Sequence, residues 1–538
     1  MSRPFHPCTS QSINILPARL HKVFVRAILP LIASFVLCGV TVAEDSLEKA
    51  IHHVVHRPHF KQAHWGALFV DRKSGDVVFE HAAQKLFVPA STTKLYSVAC
   101  ALDALGADHR FRTPVVRRGE IHENGELAGD LILVASGDLS FGGRTTAEGQ
   151  IAFVDSDHTY ANGSADGTLT EPDPLGGLND LARQVAEAGV RRVCGNVLID
   201  DRLFDRAESS GSGPTHVMPI TINDNIIDLV IEPTEPGRPA RLTSRPVTAG
   251  VHIESKVVTA ETGKEMQATV RGLGHGRITV TGQIPQGHKP VVRVYEVPDA
   301  VVHARTLFIE ALHRAGVAVD APTVEEDVVH PLPTPAEIKS LPQVAVHVSP
   351  PFSESVKLIL KVSHNLHAST LPLLVANHHS ERTLAAGLKH QHDFLKRVGV
   401  DVDTISFGGG AGGTRSDYVT PQATVQLLQA MATRPDFPVY LHALPRLGVD
   451  GTLARNVPHD SPVRDKVQAK TGTLYSYNSL NRSTLMTSKA LAGYMTTATG
   501  RDLSFALFVN NAHIRDGVTT KTFGDDLGKI CEIVYQHE

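Results

Sequence analysis

Ser91-Thr92-Thr93-Lys94 sets a hydroxyl and an amine three residues apart, and on a helix that spacing puts both on one face within hydrogen-bond reach. A serine at a helix start has its hydroxyl over free backbone N–H groups and the positive end of the dipole, which favour a developing oxyanion. Lysine takes the serine proton only as the neutral amine, and burial with a nearby cation lowers its pKa; Lys470 is the natural cation. The chemistry on offer is acyl transfer through a serine ester. It implies no cofactor, because nucleophile, base and oxyanion donors are all protein groups. Taken alone, the pair reads more readily as a helix cap and a solvated lysine.

Two more motifs follow in order, Ser363-His364-Asn365 and Lys470-Thr471-Gly472. In this reading Ser363 passes a proton to the departing amine, and Asn365 hydrogen-bonds both Lys94 and the substrate amide. The third motif follows Val467-Gln468-Ala469 in a strand-like context, where side chains alternate faces and Gly472 lets a substrate backbone approach. Lys470 and Thr471 then take a free C-terminal carboxylate, and the N–H of Thr473 joins that of Ser91 in an oxyanion hole. The plain alternatives are a cap between helices and an edge strand with an exposed lysine. Ser46-Leu47-Glu48-Lys49 has the first spacing too, but lies among charges with no buried helix behind it.

Together these are similar to the S-x-x-K, S-x-N and K-T-G set of penicillin-binding proteins and serine β-lactamases. With Phe87-Val88-Pro89-Ala90, Gly195 to Asp200, Asn223, Asn225 and Gly448 to Leu453, the chain resembles the D-alanyl-D-alanine carboxypeptidase and endopeptidase family of class C low-molecular-mass penicillin-binding proteins. Ser363 follows Ser91 by 272 residues, as in proteins with domains inserted between the first two motifs. The resemblance implies Ser91 as acylated nucleophile, Lys94 as base, Ser363 and Asn365 as second element, and Lys470, Thr471, Gly472 and Thr473 as substrate strand. It implies removal of terminal D-alanine from peptidoglycan stem peptides, with β-lactams as covalent inhibitors. Cleavage of D,D-crosslinks and a catalytically silent wall-binding protein are the alternatives. Arg415 and Thr420-Pro421 resemble the end of a D-G-S-G-x-S-R…V-T-P motif in which Gly409 and Ala411 replace the Asp and first Ser, leaving the polar support of the site in question while Arg415 contacts the stem. Asp200, Asp201 or Asp205 are candidates for a stem amine, with solvated loop carboxylates the plainer reading.

Elements must place these residues. Ala67 to Val70 and Asp76 to Glu80 read as a hairpin around Arg72 to Gly75, and Leu95, Val98, Leu102 and Leu105 recur at helical spacing behind Ser91. Short strands, with one helix at Leu178 to Ala188, fill the stretch to Leu341. Within them, Asp155 to Gly177 reads as a surface loop without a site. Helical pattern returns at Ser353 to Asn377 and Thr420 to Ala432, then strands at Ala490 to Thr497 and Leu503 to Asn510, and a helix near Asp525 to Tyr535. The segment Tyr475 to Ala490 reads as an extended hairpin beside the cleft. The expected fold is α/β (α+β): a penicillin-binding-protein or serine β-lactamase-like catalytic domain, residues 44–105 and 342–538, split by one or two inserted, mostly β domains at 106–341.

Composition is ordinary globular usage, 42% hydrophobic and 20% charged, and a net charge of -4 gives no basic field for nucleic acid. Arg19, Lys22 and Arg26 precede the apolar run Ala27 to Val40, and Thr41-Val42-Ala43 offers a cleavage point, so residues 1–43 read as an export signal and the protein as periplasmic or otherwise extracytoplasmic. The run is short of the roughly 20 residues a bilayer demands. Cys100, Cys194 and Cys531 of the mature chain are no disulfide framework. Pairs such as His52-His53 and His378-His379 lack metal-site spacing, and the histidines read as surface or packing residues, with no metal expected.

Overall fold

Alternating side chains of His64–Asp71 serve two cores at once: Trp65, Ala67 and Phe69 face one, Leu68 and Val70 the other. Asp502–Ile514 repeats the pattern, with Phe505, Leu507 and Val509 on the first side and Ala506 and Phe508 on the second. Strands buried on both faces belong inside a sheet covered twice. The computed structural model describes residues 40–163, 167–325, 331–515 and 517–538, with side chains from Leu47 on. Ala27 to Gly39 of the expected export signal lie outside the described residues.

Leu47–Glu538 forms one unit. Its principal sheet is antiparallel, ordered Val467–Asn478, Ser483–Thr496, Asp502–Ile514, His64–Asp71, Val77–His81. The first hairpin therefore pairs with the last strand, from His64 opposite Asn510 to Asp71 opposite Leu503. One face carries the helix Thr520–His537 together with Leu47, Ile51 and Val54. The other carries Lys94–Leu105, Phe352–Lys361, Asn365–His378 and Pro421–Ala432. Ser91 lies in the 3-10 turn Ala90–Thr93, which runs directly into Lys94–Leu105. That helix has no side-chain cap at its start; Leu95, Tyr96 and Val98, fully buried, contribute roughly 1.5–3 kcal/mol each and hold it in place.

Between the two halves, a six-stranded sheet is built on Arg112–Ile121, Glu126–Val134 and Gln343–Val348 with shorter strands. Two helices, Gly176–Glu187 and Ala300–Arg314, pack on it through Leu178, Leu181, Leu307 and Phe308. Two three-stranded sheets, one centred on Ile226–Glu232 and one on Arg277–Pro285, share a further core. This region thus has an α/β layer where short strands and a single helix are expected from the sequence. The helix Ala300–Arg314 is masked there by His303 and Arg305, polar residues that are buried.

Candidate active site

The turn that holds Ser91 is tight. Ala90 adopts φ 47°, and the carbonyl of Pro89 passes 2.5 Å from where a Cβ on Gly472 would stand. Gly472 thus lets the turn that holds Ser91 press against the strand Val467–Asn478. Ser91 is half-buried; Lys94 is fully buried. Lys94 Nζ lies 2.9 Å from Ser91 Oγ, 2.7 Å from Asn365 Oδ1 and 2.9 Å from the carbonyl of Ala411. A neutral amine fits this set: two N–H groups donate to the two carbonyl oxygens, and the lone pair is left for the serine O–H. Burial, reinforced by the charge of Lys470, holds Lys94 well below the ordinary lysine pKa, against an opposing pull from Asp417.

The glycine-rich loop takes its support from groups the sequence did not reveal. Asp417 accepts the N–H groups of Gly408 and Thr414, each at 2.8 Å, and Ser210 Oγ accepts the N–H of Ala411 at 3.0 Å. Lys94 uses the backbone carbonyl of Ala411, so its missing side-chain hydroxyl removes nothing from that contact. Gly412, at φ 89°, leaves space for the carbonyl of Ala90, which a Cβ would meet at 1.8 Å. Arg415 is exposed, makes no hydrogen bond among the described residues and is not among the residues that line the cleft with Ser91.

Ser363 sits between Phe352–Lys361 and Asn365–His378 at φ 66°, a conformation costly for a residue with a Cβ. Tyr160 holds it there, donating its O–H to the Ser363 carbonyl at 2.8 Å and accepting the N–H of Asn365 at 2.9 Å. Lys470 Nζ donates to Ser363 Oγ at 2.9 Å and to the Thr471 carbonyl at 2.8 Å. Burial, with the charge of Lys489 behind it, lowers the Lys470 pKa to about 7. The segment Asp155 to Gly177, expected to be a surface loop, instead feeds the site: Asp155, Ser156, Asp157, Tyr160 and Gly167 line its cleft.

Below this helix start lies a buried polar cluster. Arg144 reaches Asp157 at 2.7 Å and Asp224 at 2.8 Å; His158 reaches Asp228 at 2.6 Å and Asp224 at 3.0 Å; His367 reaches Asp224 at 2.7 Å. Burial alone pushes the Asp224 carboxyl up, but Arg144 and the histidines outweigh it and hold the group well below the carboxylate range. Burial likewise opposes a charge on His158, yet Asp157, Asp224 and Asp228 raise it to about 9. These histidines are thus neither surface nor plain packing residues. Asp224, His364 and His367 bring one donor atom each within 4.8 Å of one another, the donor types of a divalent-cation site. The Arg144 guanidinium pairs with Asp224 at 2.8 Å, while His364 Nε2 and His367 Nδ1 are buried without a hydrogen-bond partner among the described residues.

A cleft of about 330 Å³ joins Ser91, Ser363, Asn365, Thr452, Thr471, Thr473 and Lys489 with the Asp155 segment. Six of the nine residues singled out from the sequence border it or bond across it directly, Ser91, Lys470, Thr471, Thr473, Ser363 and Asn365; Lys94 and Gly472 stand behind them. Val467–Asn478 is an edge strand, which leaves the Thr473 backbone beside the cleft. Of the acids considered for a stem amine, Asp200 is tied to Arg202, Asp205 faces Arg382, and Asp201 is not part of the cleft lining. Asp155 stands in the cleft instead, one carboxylate oxygen accepting the N–H of Gly451 at 3.0 Å.

The family model described as D-Ala-D-Ala carboxypeptidase 3 (S13) matches residues 47–529. A D-alanyl-D-alanine carboxypeptidase of Actinomadura sp. (strain R39) is 27% identical over 489 residues, 87% of this chain and 81% of its own length. The D-alanyl-D-alanine carboxypeptidase DacB of Haemophilus influenzae is 22% identical over 453 residues, 81% of this chain and 82% of its own. The crystal structure of penicillin binding protein 4 from Haemophilus influenzae superposes with a TM-score of 0.66 at 20% identity, covering 89% of this chain and 98% of that one. The same protein is also described in complex with a β-lactam, at a TM-score of 0.65.

Proposed function

Because the chain belongs to the D-Ala-D-Ala carboxypeptidase 3 (S13) family, we propose that it is an exported serine D,D-carboxypeptidase that removes terminal D-alanine from peptidoglycan stem peptides through an acyl-serine intermediate. The observation that carries this is the contact of Ser91 Oγ with a buried lysine amine whose pKa burial and the charge of Lys470 hold well below the ordinary value. Lys94 takes the hydroxyl proton as Oγ attacks the carbonyl before the last D-alanine. The N–H groups of Ser91 and Thr473 receive the oxyanion, and Lys470 bonds Ser363 so that its hydroxyl relays a proton to the departing amine. Water then cleaves the ester. No step draws on a cofactor. Asp155 is the cleft carboxylate available to a stem amine. β-Lactams are to be trapped as esters on Ser91. Residues 44–105 and 342–538 act as the catalytic halves and 106–341 as the inserted part.

No helix among the described residues is long and apolar enough to cross a membrane. A cavity of about 560 Å³, sharing Tyr160 and Ser212 with the cleft and bordered by Tyr475, favours a second reading in which a crosslinked strand is the leaving group. The test is mass spectrometry of the protein after incubation with benzylpenicillin. An adduct mapped to Ser91 and absent from Ser91→Ala supports the proposal. Labelling that survives Ser91→Ala refutes it, and no adduct on folded wild type points to a silent wall-binding protein.

A further inference from the structure

Three lysines meet at the cleft, and two are committed. Lys94 serves Ser91, Asn365 and Ala411; Lys470 serves Ser363 and the carbonyl of Thr471. Lys489 is the third. It stands directly opposite Thr473 in the strand pair and donates to Thr473 Oγ1 at 2.9 Å. It makes no ion pair among the described residues; Asp525, whose charge acts on it, is held by Lys521 at 2.7 Å. Alternation along the strands puts Thr471, Thr473 and Lys489 on one face, and all three line the cleft with Ser91. Thr471 Oγ1 donates to Thr452 Oγ1 at 2.8 Å, so the hydroxyls form a row ending at the lysine. A partly desolvated cation without an ion-pair partner among the described residues is an unfinished pair, and an anion beside it recovers the cost of that desolvation.

On the reading proposed above, we infer that Lys489 is a specificity residue that pairs with the free C-terminal carboxylate of the substrate, alongside the hydroxyls of Thr471 and Thr473. The cationic half of carboxylate recognition thereby moves from Lys470, which stays with Ser363, to a residue outside the three motifs. Lys489 touches the part of the substrate that leaves, not the reacting carbonyl. Its loss falls on binding.

The experiment compares wild type with Lys489→Met, which keeps length without charge, and Lys489→Arg. Each is assayed on an N-acylated D-Ala-D-Ala peptide and on the same peptide with a C-terminal amide, and acylation of Ser91 by benzylpenicillin and by its methyl ester is followed in parallel. The expected result is a rise in KM of about tenfold for Lys489→Met on the free acid with kcat nearly unchanged, no loss on the amide or ester, and recovery with Lys489→Arg. Equal losses on acid and neutral forms make Lys489 a structural tie to Thr473 and overturn the inference, as does a free-acid preference that survives Lys489→Met. A wild type that acylates with neither penicillin nor its ester overturns the parent reading and this one with it.

Discussion

Lys94 and Lys470 are fully buried, and among the described residues neither has a carboxylate within ion-pairing distance. On the far side of Ser363-His364-Asn365, Arg144 is as deeply buried and has two carboxylates, Asp157 and Asp224. The first cluster withholds counter-charge, so burial shows up as an amine pKa held well below the ordinary lysine value. The second supplies counter-charge, so burial shows up as fixed ionic contacts that position a helix start. Whether a buried cation becomes reagent or scaffold is decided by the acid beside it.

Exchanging the two plans is the strongest test. Asn365→Asp places a carboxylate where Lys94 Nζ now meets an amide oxygen at 2.7 Å. The amine pKa rises, and acylation at pH 7 should fall by about a thousandfold, with the acid limb of the rate profile moving to higher pH. Stopped-flow acylation across pH measures this; an unmoved limb refutes the assignment of Lys94 as base. Conversely, Asp224→Asn leaves Arg144, His158 and His367 short of one charge, and is expected to cost about 3–5 kcal/mol in denaturant unfolding.

His158 provides a graded version. Its folded pKa of about 9 lies above the usual 6.5, so its stabilisation is complete below pH 6.5 and is lost as pH rises through about 9. The stability gap between wild type and His158→Gln should shrink by about 3 kcal/mol between pH 6 and pH 10, as read from urea midpoints at each pH. The smallest change is Asp417→Asn, which removes the one acid that raises the Lys94 pKa. The acid limb should move to lower pH while the rate at its plateau changes by about threefold or less, since the amide still accepts at least one loop N–H.

The paired cluster was the part hardest to read in the chain. Ser91, Lys94, Ser363, Asn365 and Lys470 stand in short motifs whose local spacing implies contact, and hairpin and helix periods around them mark the sheet and the helix behind Ser91. Asp157, Tyr160 and Asp224 have no such signature. An Asp- and Gly-rich segment has the composition of a solvated loop, and its burial depends on Arg144 and two histidines brought from distant segments. One signal was available: Asn223-Asp224-Asn225 is a run of residues that tolerate left-handed backbone, and all three adopt it, at φ 49°, 53° and 55°. Asp417 was hidden for a related reason, since attention to the altered loop positions concealed a carboxylate six residues beyond Ala411 that supports the same loop. Lys489 follows no motif at all and is found only through its strand register.

The sheet that joins the first hairpin to the last strand also sets a timetable. His64–Asp71 gains its long-range partner only when Asp502–Ile514 has arrived, and the amine of Lys94 acquires Asn365 and Ala411 from 271 and 317 residues further along. A chain emerging from synthesis displays Ser91 early, with its lysine hydrated, protonated and unable to accept a proton. The contacts that bury this amine are complete only with the final strand, so an unfinished molecule lacks the desolvated lysine that Ser91 touches.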